Sequence, residues 1–341
     1  MDDHAYEISH GWEPGIYIGG SKHETQNTNP KGKTKMPTVP TPKMPVRPVA
    51  KAHLPAATNG GSAVPEKANL DDLFNTGTED IVRGIFTILF GKGGTGKTTA
   101  ALTKPGNTVF VDLEGSYDLV AARALALMPE GTVNVRPFKF KFTDDAADDY
   151  ERLCALLEAN GYDDYNTVIL DSWSVVQRLL MAYTFRHEDY KGKACSCTDD
   201  YGYQTYPCYA HKGFVRLYNA ILNHRRAGRD VVVLAHALDD TVPDMNSDKM
   251  KQWVPDILQM KSGKDSMLHD MYNEADNCWF FDDGSRAATD KQNKGKAVTG
   301  SRTVYLSGTG VIMAKTRTAP ENPVISLPNG EPFPWDALLG R

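Results

Sequence analysis

Short apolar runs, each broken by glycine, proline or charged residues, organise the chain from about residue 85 to residue 306. Ile85–Phe90, Thr108–Leu113, Thr167–Leu170 and Asp230–Ala235 are rich in β-branched and aromatic residues, and each predicts a buried strand. Between them lie amphipathic stretches over 146–160, from Val175 to about Phe185, and from Ala210 to His224, which predict helices. Asn160-Gly161 ends the first of these. Pro105-Gly106-Asn107 ends a shorter helix that opens at Thr99-Ala100-Ala101-Leu102. Cys278–Phe281 and Thr303–Leu306 read as paired strands, and Gly310–Ala314 as a late strand. Strands alternating with helices predict an α/β fold with a mostly parallel sheet flanked by helices.

Upstream the pattern is different. Between Asn29 and Ala57 prolines recur with Lys31, Lys33, Lys35, Lys43, Arg47 and Lys51, and with no acidic residue. Such a stretch buries too little apolar surface to offset its ordering entropy. Residues 1–78 are therefore expected to be a disordered Pro/Lys-rich tail, with 79–320 as the folded domain and 321–341 as a C-terminal extension. The alternative for the tail is a basic arm against DNA phosphates, and Trp12–Ile18 would suit a small docking motif.

Composition narrows the class. Of 341 residues 40% are hydrophobic, enough for a full core, and the net charge of -5 restricts any nucleic-acid contact to local patches. The five cysteines are odd in number and argue against a closed disulfide framework. The acidic opening Met1-Asp2-Asp3 lacks a signal-peptide pattern, and no apolar stretch is long enough for a membrane span. The expectation is a cytoplasmic protein in a reducing compartment.

The chemistry concentrates in Gly91-Lys92-Gly93-Gly94-Thr95-Gly96-Lys97-Thr98-Thr99, which fits the phosphate-binding loop G-x-x-x-x-G-K-[ST]. Its glycines let consecutive N–H groups face phosphate oxygens. Lys97 supplies a mobile cation for the outer phosphates of ATP, and the Thr98 hydroxyl suits Mg²⁺. Two acids sit at the ends of later strands, where an open α/β sheet binds its ligands. Glu114 is placed to polarise a water, the alternative being a turn acid or helix cap. Asp171 is placed to hold Mg²⁺ opposite Thr98. His236 ends the strand that begins at Asp230; it reads equally as a γ-phosphate sensor and as a capping histidine.

The order of these features, with the short spacing from Lys97 to Glu114, resembles RecA-like ATPases, and most closely the small phage RecA-like proteins associated with recombination and single-strand annealing. Val311–Thr318, with Lys315 and Arg317, is similar to the Lys-x-Arg segment of that group and of DnaB-type helicases and KaiC. The resemblance covers about residues 80–320. It implies ATP hydrolysis with Lys97, Glu114 and His236 at the site, and Lys315 and Arg317 reaching a neighbouring subunit's ATP. It further implies a homo-oligomer, ring or filament, acting on single-stranded DNA, with single-strand-binding or replication proteins as further partners. Bacterial RecA carries an amide where this chain has His236. The loop also matches the deviant form of ParA- and MinD-type ATPases, in which the lysine matching Lys92 crosses a dimer interface. Those proteins have a longer helix before the second strand, end it in Asp-x-Asp, and follow the third with Asp-x-Pro; this chain has a short helix, Asp112-Leu113-Glu114 and Asp171-Ser172-Trp173.

Three stretches carry further expectations. Cys195, Cys197, Cys208 and His211 form a C-x-C…C-x-x-H set able in principle to bind Zn²⁺, the alternative being a surface insertion with reduced thiols. Cys154 and Cys278 read as core residues. Asp244–Lys264, with Lys249, Lys251, Lys261, Lys264 and Trp253, stands where RecA-like proteins place a DNA-contacting loop. Arg286–Arg302, with Lys291, Lys294 and Lys296, is a second basic loop.

Overall fold

The apolar run that precedes the glycine-rich loop forms the centre of the sheet. A computed structural model describes residues 83–201, 205–242, 250–258, 266–283, 301–317 and 320–340. The expected tail, the chain entry near Leu70–Phe74, most lysines of the first expected DNA loop and all of those in the second lie outside these residues.

Strand β1 (Phe86–Gly91) leads through the loop into a short helix α1 (Lys97–Leu102), then β2 (Gly106–Asp112), α2 (Tyr117–Leu125) and β3 (Val133–Lys139). Helix α3 (Ala146–Glu158), β4 (Thr167–Asp171), α4 (Trp173–His187), α5 (Tyr206–Arg226) and β5 (Asp230–Val242) follow. A hairpin partner β6 (Met250–Pro255), α6 (Met267–Glu274), β7 (Asn277–Asp282) and β8 (Ser301–Tyr305) come next, then β9 (Lys315–Thr316), β10 (Val324–Pro328) and α7 (Trp335–Leu339). In the sheet the order is β10-β8-β7-β1-β5-β4-β2-β3. From β7 to β3 neighbouring strands run parallel, while β8, β9 and β10 join one side antiparallel and β6 pairs with the far half of β5. This is the mostly parallel α/β arrangement expected from the pattern.

Alternation along the central strands divides the core. Phe86, Ile88 and Phe90 of β1, with Val231 and Val233 of β5, face a layer that includes Tyr150, Leu153, Val176 and Phe214 from α3, α4 and α5. Leu89, Val232 and Leu234 face the opposite layer, with Ala100 and Ala101 of α1, Ala121 and Ala124 of α2, and Trp335 of α7. Cys154 and Cys278 are buried in the first layer, as expected. Phe333 and Trp335, with Ile325, Leu327, Leu338 and Leu339 packed against them, belong to the second. Trp335 is 1% exposed, and its Nε1 donates to the Ala100 carbonyl at 2.7 Å.

Several elements differ from expectation. β5 runs past His236 to Val242, because its far half finds β6 as an antiparallel partner. That partner turns part of the expected first DNA loop into strand. Its Trp253 stacks on Phe280 at 6.2 Å, with Lys92 Nζ 4.7 Å from the ring, so the indole is committed within the molecule. The late strand is not Gly310–Ala314 but the two residues Lys315–Thr316, which pair with the start of β7. β3 had no clear apolar signature, being an edge strand with Asn134, Arg136 and Pro137 in its interior. No described helix is long and apolar enough to cross a membrane.

Candidate functional site

Parallel register brings the strand ends to one rim. Gly91 is level with His236 across β1 and β5, Asp112 with Asp171 across β2 and β4, and Asp171 with Leu234 across β4 and β5. Residues far apart in sequence thus surround the loop that leaves β1.

Within the loop Gly94 and Gly96 have φ of 77° and 92°, a left-handed backbone that glycine adopts without strain. Lys97 is 8% exposed, and its Nζ donates to the carbonyls of Gly91 at 2.9 Å and Lys92 at 2.8 Å. Thr95 Oγ1 donates to the Lys92 carbonyl at 2.9 Å. Burial lowers the Lys97 ammonium to a pKa of about 8, against the opposing pull of Asp171 and Glu114. The cation is thereby kept close to the loop without a direct carboxylate partner.

Asp171 ends β4 and is 2% exposed. Its Oδ2 accepts from Thr98 Oγ1 at 2.9 Å and from Ser116 Oγ at 2.8 Å. Burial raises its pKa to about 6, the Ser116 hydrogen bond opposing the shift and the nearby Glu114 charge adding to it. The Asp171–Ser172 peptide is cis. Hydroxyls of Thr98 and Ser116 with the Asp171 carboxylate make an all-oxygen donor set, the type that Mg²⁺ prefers, so these residues fit that cation.

Glu114 stands past the end of β2. The Ser172 hydroxyl donates to its carboxylate, and His236 Nε2 lies 3.3 Å from Oε1. The His236 hydrogen bond is the largest influence and, with the Ser172 hydrogen bond and the Lys97 charge, holds the Glu114 carboxyl below its ordinary range despite partial burial. The turn-acid role belongs instead to Asp112, which accepts from the backbone N–H groups of Ser116 at 3.0 Å and Tyr117 at 3.2 Å and so fixes the start of α2. Glu114 is left facing a pocket of about 370 Å³. Gly93, Gly94, Gly96, Lys97, Thr98 and Thr99 line it, opposite Asp171 and His236.

Other expected site residues lie elsewhere. Lys315 and Arg317 are beside the start of β7; at 3.3 Å per residue Lys315, level with Ile88, is roughly 10 Å along the strand from Gly91, and Arg317, beside Asp276 and level with Phe86, roughly 16 Å. Arg317 is not solitary: its Nε is 3.0 Å from Asp276, which also pairs with the buried Arg225. Lys315 Nζ donates to the Asn273 carbonyl at 3.3 Å and lies 4.6 Å from the Tyr272 ring centre.

The expected zinc set is not assembled. Among the described residues no group of three or more His, Cys, Asp or Glu side chains is placed to hold a metal. His211 Nε2 is 2.9 Å from Asp270, Cys195 is buried with its thiol toward the Lys193 carbonyl, and Cys197 is exposed.

Sequence reasoning missed Ser116, Ser172, Arg123, Arg302 and Glu331, all of which line the pocket. Ser172 adjoins Asp171 and Ser116 lies two residues past Glu114, so both were legible as near neighbours of acids already singled out. The other three reach the pocket only through tertiary packing.

No curated protein matches the chain at a significant level. The family model of the AAA domain matches residues 83–318, which spans every element described here from β1 to β9. With a phosphate loop at the end of the central strand and a mostly parallel sheet around it, the chain belongs to the AAA domain family of P-loop nucleotide-binding proteins.

Proposed function

We propose that this protein is a RecA-like ATPase that hydrolyses ATP to ADP and phosphate while acting on single-stranded DNA, in phage-type recombination or replication. The observation that carries the hydrolytic part is the arrangement of Glu114 against the pocket, held by Ser172 and His236 while Asp112 serves the turn. A carboxylate kept ionised beside the phosphate loop can accept a proton from the attacking water. Lys97 leaves its loop carbonyls to meet the outer phosphates, and its charge then offsets that developing on the transferred phosphoryl group. Thr98 and Asp171 are the residues that would hold Mg²⁺, which when bound neutralises phosphate charge. His236, bonded to Glu114, couples the position of that carboxylate to the end of β5.

Assembly is the second part of the reading. Lys315 and Arg317 lie too far along the sheet to serve their own subunit's nucleotide, which favours action on a neighbour's in a homo-oligomer. Lys92 turns toward Trp253 of its own chain, which weighs against the ParA-like use of that lysine. The DNA part rests on the resemblance and on the basic stretches around Lys249–Lys264 and Lys291–Lys296. Steady-state ATP turnover with and without single-stranded DNA tests it. Stimulation of several-fold or more supports the reading; turnover indifferent to DNA leaves an ATPase whose assembly, not DNA action, is its task.

A further inference from the structure

Arg302, at the start of β8, approaches the phosphate loop from the β7 side, opposite to the β2, β4 and β5 ends that carry Glu114, Asp171 and His236. Its guanidinium fills the space that a Cβ at Gly96 would need. Arg123, in the last turn of α2, lines the same pocket and adds a second guanidinium near the first. Guanidinium groups keep their charge at all ordinary pH, so neither can relieve the repulsion by losing a proton. Burial and the Arg123 charge both lower the pKa of Arg302, and no acid appears among its influences.

The acids nearby do not neutralise the pair. Asp118, the acid in the first turn of α2, is held by Lys139. Glu331 lines the pocket but makes no ion pair with either arginine among the described residues. A half-buried cation beside a like charge is costly unless an anion completes the site. A planar fork of N–H donors suits phosphate oxygens, which two such groups can grip from two directions.

We propose that Arg123 and Arg302 form the subsite for the inner phosphates of the nucleotide, those that ADP and ATP share. The inference rests on the reading of the loop as an ATP site and extends it. Lys97, Glu114 and His236 serve the outer phosphate, whereas the arginine pair anchors the end that remains after hydrolysis. Affinity for the product is then set largely by residues separate from those that perform the chemistry.

Calorimetric titration of the full chain with ADP and with a non-hydrolysable ATP analogue tests this. The proteins are wild type, Arg123→Gln, Arg302→Gln, the double variant, Arg302→Lys and Lys97→Ala. Each glutamine substitution should weaken both nucleotides in parallel by about tenfold, the scale of one charge-assisted hydrogen bond, and Arg302→Lys should retain part of the affinity. Arg123 is exposed, so its variant does not depend on Arg302's packing for a folded protein. Weakening confined to the ATP analogue would overturn the assignment, since the pair would then meet the outer phosphate. Unchanged ADP affinity in the double variant, with affinity for the ATP analogue lost in Lys97→Ala, overturns the inference and leaves the phosphate-loop reading intact. Unchanged affinity for the ATP analogue in Lys97→Ala overturns both.

Discussion

Asp171 illustrates how burial prepares a side chain for a cation. Two hydroxyl donors are too few to offset its desolvation, so it keeps its proton up to a pH of about 6. A cation needs that proton gone, so proton and Mg²⁺ compete for the carboxylate. Between about pH 7 and pH 5.5 the Mg²⁺-dependent gain in nucleotide affinity should therefore shrink several-fold in the wild type, beyond the change caused by titration of the nucleotide itself. Asp171→Asn should show a small gain and no such extra slope; an equal slope in both proteins would place the titrating group elsewhere. Asp171 and Glu114 were legible in sequence because each closes an apolar run, and strand ends meet at the rim of a parallel sheet. The division of labour between Asp112 and Glu114 was not legible. Two acids at spacing two are equivalent in sequence, and only the hydrogen bonds to Ser116 and Tyr117 tell them apart.

At the scale of elements, short two-layer burial decides what could be foreseen. β1, β2, β4, β7 and the first half of β5 are largely buried on both faces and carry near-continuous apolar residues, so they were visible as runs. β3 and β10 are edge strands with mixed patterns, and α7 is only five residues long, so local signals were weak. Tertiary contact stabilises α7: Trp335 packs on Trp279 and Phe333 and bonds to Ala100 in the helix after the phosphate loop. Trp335→Ala should cost about 3–5 kcal/mol, the usual range for a large buried aromatic, read from urea unfolding. A loss below about 1 kcal/mol would mean that this segment is not part of the cooperative core. Because Trp335 grips α1, the same variant should also weaken nucleotide binding.

For the whole molecule, the separation between the phosphate loop and the Lys315–Arg317 segment is the structural reason to expect assembly. Arg317→Ala should bind ATP nearly as the wild type does yet lose about a thousandfold in turnover, the scale of an arginine finger. Mixing it with Lys97→Ala protein should restore part of the activity, because one mixed interface pairs an intact loop with an intact finger. Absence of rescue at every mixing ratio, in proteins shown to co-assemble, would leave Arg317 as the surface member of the Asp276–Arg225 network. The claim beneath all of this is that Glu114 activates water beside the phosphate loop, and single-turnover hydrolysis of ATP by Glu114→Gln tests it most directly. The account predicts that ATP remains bound while the hydrolytic step slows by about a hundredfold or more. Hydrolysis within a few-fold of the wild-type rate would contradict it.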